Sequence, residues 1–175
     1  MRFARFVLPT FTAVALTLSV GAAQAQQTLS EGDQDFVDQL AHGGYAEIQA
    51  GKMAAESENQ AVASFGKKMV EDHTRLNEQL ATLAKSKGYE PPTSADLASK
   101  AKGALLNVMP GATFDKQYAD AQVNDHQETL ELLQNEARNG QDPDLKAMAE
   151  KAIPTIEEHL SMARQLQSQT TASSD

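Results

Sequence analysis

Three histidines stand where the hydrophobic pattern leads one to expect leucine. In the stretches MVEDHTRL, QVNDHQETL and IEEHLSMA, residues His73, His126 and His159 each fall on the apolar stripe of a separate amphipathic segment. A fourth segment, GGYAEIQAG, places Glu47 the same way. Imidazole nitrogens and carboxylate oxygens are donors that zinc, iron, manganese and copper accept. The four residues therefore form a candidate ligand set for one divalent transition metal. Without an ion they must satisfy one another, because an unpaired buried polar group costs several kcal/mol. That is the alternative reading: a metal-free structural or stress-related envelope bundle whose polar layer fixes helix register. A metal-dependent enzyme ranks third, since no Ser/His/Asp set or phosphate-binding loop accompanies the histidines.

The neighbouring residues refine the chemistry. Asp72, Asp125 and Glu158 each directly precede a histidine, about 100° off the stripe, where a carboxylate orients an imidazole rather than binding the ion itself. Asp115 and Tyr118 are further candidates for that supporting role. A dinuclear ferritin-type centre needs Glu-x-x-His on two helices, and the residues three before the histidines are Val70, Val123 and Ile156. Met69 and Met162, about one turn from His73 and His159, add thioethers that would suit copper but more commonly fill cores. His42, about 140° from Glu47, reads as a surface residue. Pro154, one turn before His159, frees the Glu150 carbonyl and is placed to bend its helix.

Positioning these side chains requires four long helices. Ser30 with Asp33 signals a helix over 31–57, Asn59 opens a second to about Lys87, and Gly88 closes it before Pro91 and Pro92. Ser94 caps a short helix to Val108. A further helix spans 113–139, and Asp142 with Pro143 opens the last, to about Gln167. The inward stripes run Phe36, Leu40, Gly44, Glu47, Gly51, Ala54; Val62, Phe65, Met69, His73, Leu76, Leu80, Leu83; Ala119, Val123, His126, Leu130, Leu133, Ala137; and Leu145, Ala149, Ala152, Ile156, His159, Ala163, Leu166. Glu47 and His73 lie roughly 16 and 22 Å from the turn at 57–59, and His126 and His159 roughly 21 and 28 Å from Gly140. All four sit near mid-bundle. Gly43, Gly44 and Gly51 leave room around Glu47. The short helix covers roughly 20 Å, enough for much of a crossover, although an up-down-up-down bundle with a helix across one end fits as well.

Composition narrows the setting. Arg2 and Arg5 precede an apolar run over 6–20 that ends in Ala23-Gln24-Ala25, the pattern of a secretory signal peptide cleaved after Ala25. A periplasmic or secreted protein is expected, divided into a signal over 1–25, a short disordered lead over 26–30, the bundle over 31–167 and a disordered tail over 168–175. Cleavage takes 2 of the 15 basic residues and none of the 24 acidic ones, so the net charge falls from −9 to −11. Such a chain disfavours nucleic acid and attracts cations. There is no cysteine and no Trp, which excludes disulfides, thiolate ligands and indole stacking surfaces. No transmembrane segment is expected after cleavage, and no protein partner is legible.

Four motifs, GGYAEIQAGKMAA, MVEDHTRLNEQL, FDKQYADAQVNDHQETL and AIPTIEEHL, together resemble a bacterial family, domain-of-unknown-function family 4142. The resemblance spans about 31–167 and implies an all-α, ferritin-like helical bundle on an exported protein. Its motif positions fall on Glu47, Asp72, His73, Phe114, Asp115, Tyr118, His126, Pro154 and His159. It implies no reaction. The outer-membrane label often attached to the family lacks the alternating strands a barrel needs.

Overall fold

The computed structural model describes residues 28–172. The expected leader over 1–25 and the last three residues lie outside the described residues. Five helices follow in order: α1 Glu31–Ala54, α2 Gln60–Ser86, α3 Leu97–Asn107, α4 Gly111–Asn139 and α5 Pro143–Ala172. None is long and apolar enough to cross a membrane.

Local chemistry sets the ends. The Ser30 hydroxyl accepts from the Asp33 backbone N–H at 3.1 Å, Asn59 Oδ1 accepts from Ala61 at 3.0 Å, and Asp142 Oδ1 accepts from Asp144 and Leu145 at 3.0 and 3.1 Å. Each satisfies N–H groups that the first turn leaves without partners. At Gly88, φ is 77°, and Tyr89 N–H returns to the Ala84 carbonyl at 3.0 Å, so a left-handed glycine stops α2. Three boundaries depart from expectation. Helix α1 ends at Ala54 rather than residue 57. The short helix is capped by Asp96, whose carboxylate accepts from Ser99 N–H at 2.7 Å, and not by Ser94, whose hydroxyl is turned to the Ala95 carbonyl. Helix α5 continues to Ala172, because Thr170 is buried and the hydroxyls of Thr170 and Thr171 bond back to helix carbonyls. In the stretch read as a lead, Leu29 is buried in the core.

The chain folds as two antiparallel hairpins, α1–α2 and α4–α5, packed side by side. At one end, Asp33 Oδ1 accepts from Gln141 N–H at 2.8 Å and Lys87 pairs with Asp142 at 2.9 Å. At the other, Ser57 donates to Asp115 at 2.6 Å. The end of α2 thus lies with the end of α4, so the two run parallel and the segment between them traverses the bundle as a crossover. Of the two connections open from sequence, the structure has the crossover. Helix α3 lies on α1 and α4, held by His42 Nδ1–H donating to the Ser94 carbonyl at 2.7 Å and by Lys102 pairing with Asp125 at 2.7 Å. His42 is therefore a half-buried tether and not a free surface residue.

Two hairpin helices touch backbone to backbone. A Cβ at Gly66 would come within 2.7 Å of both the Gly51 carbonyl oxygen and Ala54 Cβ. Neither neighbour can yield without moving a helix. Gly66→Ala should therefore lower stability despite the ~1 kcal/mol that alanine gains in helix propensity, since overpacking costs about 1–3 kcal/mol. Gly43→Ala, whose Cβ would meet nothing within 4 Å, should raise it. Parallel thermal melts check both signs, and a stabilised Gly66→Ala would refute the close approach.

Candidate metal centre

The apolar core divides into two clusters. One gathers Leu40, Leu80, Leu133, Leu145 and Ile156; the other gathers Phe65, Met69, Tyr118, Ala163 and Leu166. On α2, α4 and α5 the histidines fall between residues of the two clusters, so they form a polar layer between them. His73, His126 and His159 are 3%, 1% and 0% exposed. Their ring centroids stand 5.4, 5.5 and 5.3 Å apart, close to an equilateral triangle. One donor atom from each lies within 4.8 Å of the other two.

Hydrogen bonds fix which ring nitrogens carry a proton and which a lone pair. His126 Nδ1–H donates to the Gln122 carbonyl at 2.9 Å, one turn back on α4, leaving Nε2 with its lone pair. His159 Nε2–H donates to Asp72 Oδ2 at 2.8 Å, leaving Nδ1 buried with no partner. His73 Nε2 lies 3.4 Å from His126 Nε2 and, without an ion, donates its proton across the gap; an ion bound there takes that proton's place. A four-coordinate ion with bonds of 2.0–2.1 Å places neighbouring nitrogens about 3.3 Å apart, so this pair already has that spacing. An imidazole held by a carboxylate or carbonyl through its outer N–H is the usual preparation for metal binding.

The surroundings favour the neutral form of His73 and His159. Burial lowers the His73 pKa well below its ordinary value, and repulsion from His126 and His159 lowers it further, against the weaker pull of Asp72. Burial also lowers His159, with the Asp72 hydrogen bond opposing it. For Asp72 itself burial works upward, but hydrogen bonds from His159, Lys68 and Arg75 prevail and hold the carboxyl well below the usual range. Lys68 is 3.0 Å and Arg75 2.5 Å from it. A pocket of about 240 Å³ between α2 and α5 reaches His73 and His159 from outside, past Arg75 and Lys151. It gives a further ligand access to the trio.

The remaining sequence candidates separate from the trio. Glu47 is buried near mid-bundle, but its Oε2 accepts from Gln122 Nε2 at 2.6 Å and its carboxylate does not join the converging nitrogens. Burial pushes this carboxyl up, against the smaller effect of His126. Of the acids beside the histidines only Asp72 supports a ring. Asp125 pairs with Lys102 under α3, and exposed Glu158 pairs with Lys68 at 3.4 Å. Asp115 is engaged with Ser57 at the bundle end. Tyr118 is fully buried, stacked on Phe114 with centroids 5.7 Å apart, and its hydroxyl has no partner. Gln122 links His126 to Glu47, its carbonyl accepting from the ring and its side-chain amide donating to the carboxylate. The i, i+4, i+8 series Phe114, Tyr118, Gln122 was the available signal for this second buried face.

The profile of the domain of unknown function DUF4142 matches residues 18–166. Among solved structures, a DUF305 fragment from Deinococcus radiodurans is similar with a TM-score of 0.69 at 16% identity, covering 81% of this chain and 99% of that one. CopM in a silver-bound form obtained by soaking gives 0.62 at 18%, over 76% and 92%. CopM in its Cu(I)-bound form gives 0.63 at 16%, over 76% and 93%. At these identities the likeness shows a shared fold. No curated protein matches the chain.

Proposed function

The chain belongs to the DUF4142 family, a domain of unknown function, and from that premise we propose that it binds one transition-metal ion through His73 Nε2, His126 Nε2 and His159 Nδ1. The observation that carries this reading is the buried, partnerless Nδ1 of His159, on a ring packed against two other imidazoles, one donor atom of each of the three lying within 4.8 Å of the others. Three neutral imidazoles suit copper, zinc, iron or nickel, and the affinity of nitrogen sites among divalent ions peaks at copper. Copper is the first choice, supported by a bundle shared with CopM, whose structures include Cu(I)- and Cu(II)-bound forms. When bound, the ion would supply a Lewis-acidic or redox-active centre. The protein's own part is to favour neutral His73 and His159, orient two of the rings through Asp72 and the Gln122 carbonyl, and leave one side open to the pocket between α2 and α5.

A metal-free sample titrated with Cu(I), Cu(II), zinc, manganese and ferrous iron against a competing chelator tests this. Wild type should take up one equivalent of copper and His126→Ala none. Asp72→Asn should retain the stoichiometry with affinity weakened about 10–100-fold, the usual effect of removing a carboxylate behind a histidine ligand. Equal uptake by wild type and His126→Ala would sink the site. The register-only reading is favoured by one observation, the hydrogen bond between His73 and His126, but it leaves His159 Nδ1 unexplained.

A further inference from the structure

Beneath the crossover helix lies a polar group that the metal site does not use. Helices α1, α3 and α4 enclose a cavity of about 320 Å³, lined by Glu47, Tyr118 and Gln122 at its buried wall. Tyr118 is 0% and Gln122 1% exposed. The Gln122 amide is oriented by Glu47: the NH2 donates to the carboxylate at 2.6 Å, so Oε1 is the end left over. That oxygen and the Tyr118 hydroxyl are both buried without a partner. Buried polar atoms in a native fold are ordinarily paired, and here two unpaired ones belong to residues in the wall of one cavity, beside a buried carboxylate.

We propose that this cavity binds a small organic cation through a primary ammonium group that donates to Glu47, Gln122 Oε1 and the Tyr118 oxygen. An ammonium has three donors and no acceptor, which matches three oxygens. An anion would be repelled by Glu47, and a neutral donor would leave its charge uncompensated. The size is at the lower end of small-molecule sites, about 300–1,000 Å³, and fits a short alkyl chain. Asp96, Asp125 and Glu128 also line the cavity, but Asp96 caps α3 and Asp125 pairs with Lys102 at 2.7 Å. The remaining acid favours a ligand with a second positive charge at its far end, a diamine. Gly43 and Gly103 line the same space, and a Cβ on either would meet nothing within 4 Å.

Calorimetric titration of the metal-free full chain with 1,4-diaminobutane tests the assignment. Removing metal matters because diamines chelate copper. Wild type should show one saturable site, and 1,4-butanediol none. Glu47→Gln and Tyr118→Phe should each weaken binding at least tenfold, the range for losing a hydrogen bond to a charged group. Gly43→Leu, a change that favours the helix and grows a side chain into open space, should abolish it. Copper uptake by Tyr118→Phe and Gly43→Leu should stay at the wild-type level, separating this cavity from the histidine trio. If Glu47→Gln fails to fold, the other two variants decide. No saturable binding, equal binding of butanediol, displacement by magnesium chloride at equal concentration, or unimpaired binding by Gly43→Leu would each overturn the proposal.

Discussion

Adding copper to metal-free protein at about 100 times its dissociation constant should raise the melting temperature by about 5–11 °C. An ion bound to the folded state alone contributes about 2.7 kcal/mol at that concentration, and in a domain of this size each kcal/mol shifts the midpoint roughly 2–4 °C. His126→Ala should remove the increment, because the His126 ring contacts both partners of the triangle, with centroids 5.4 and 5.3 Å away. His42→Ala should leave it intact, whatever the loss of the bond to Ser94 does to the metal-free melt. The increment should shrink only in acid strong enough to protonate His73 and His159, whose folded pKa values lie below the ordinary imidazole value. His126→Leu provides the contrast: if the layer only sets helix register, no ion shifts the wild-type melt, and a well-filled leucine there costs little. Absence of any shift with copper, zinc, manganese or ferrous iron beyond that of His126→Ala would leave a polar layer without a metal.

Mild acid should weaken the metal-free protein at its buried histidines. The pKa values of His73 and His159 are both lowered on folding, so between the unfolded value of about 6.5 and the folded values the unfolded chain binds more protons. Stability is then present above about pH 6.5 and is lost as pH falls toward the folded values. Each such histidine contributes a slope of about 1.4 kcal/mol per pH unit within that window. Glu47 has the opposite sign. Its raised folded pKa, like that of Glu136 at about 7, gives stability below the unfolded value that is lost as pH rises through the folded one. The two carboxyls therefore offset the histidines in wild type, and the histidine contribution is read by difference. Denaturant midpoints of metal-free protein should change more unfavourably from pH 7 to pH 5 in wild type than in His73→Leu. Parallel profiles for the two would mean that the His73 ring is already charged in the fold.

Helix ends were legible where one side chain could cap only one place, as at Ser30, Asn59 and Asp142. They were not at the crossover, where Ser94 and Asp96 are both good caps and the path of the backbone chooses between them. The threonines of the last turns read as disorder by propensity, yet Thr170 is buried and the helix continues. Periodicity found the three histidines because each is a polar residue on an otherwise apolar seven-residue pattern. It missed Tyr118 and the role of Gln122 because the rule assumes one buried stripe per helix. Helix α3 covers α1 and α4, so those two bury a second face, and Glu47 answers to that face. Asp72 is about 100° off its stripe but still buried, since α5 packs over that side of α2. Register was also approximate: Leu76, Leu83, Val123 and Ala137 are half-buried, while Asn77 and Ala84 lie inside.

The trio is shared unequally between the hairpins, with His73 on α1–α2 and His126 and His159 on α4–α5. Packing within each hairpin is far denser than packing between them, and the backbone joins them once, through the crossover. Opening of the native state therefore has a natural line along which to run, between two hairpins that each keep their own helices. An ion ligated from both sides fastens that line without altering either half. Its influence would be felt mainly in the rate at which the halves part, hence in resistance to proteolysis, while the resting shape of the molecule stays the same.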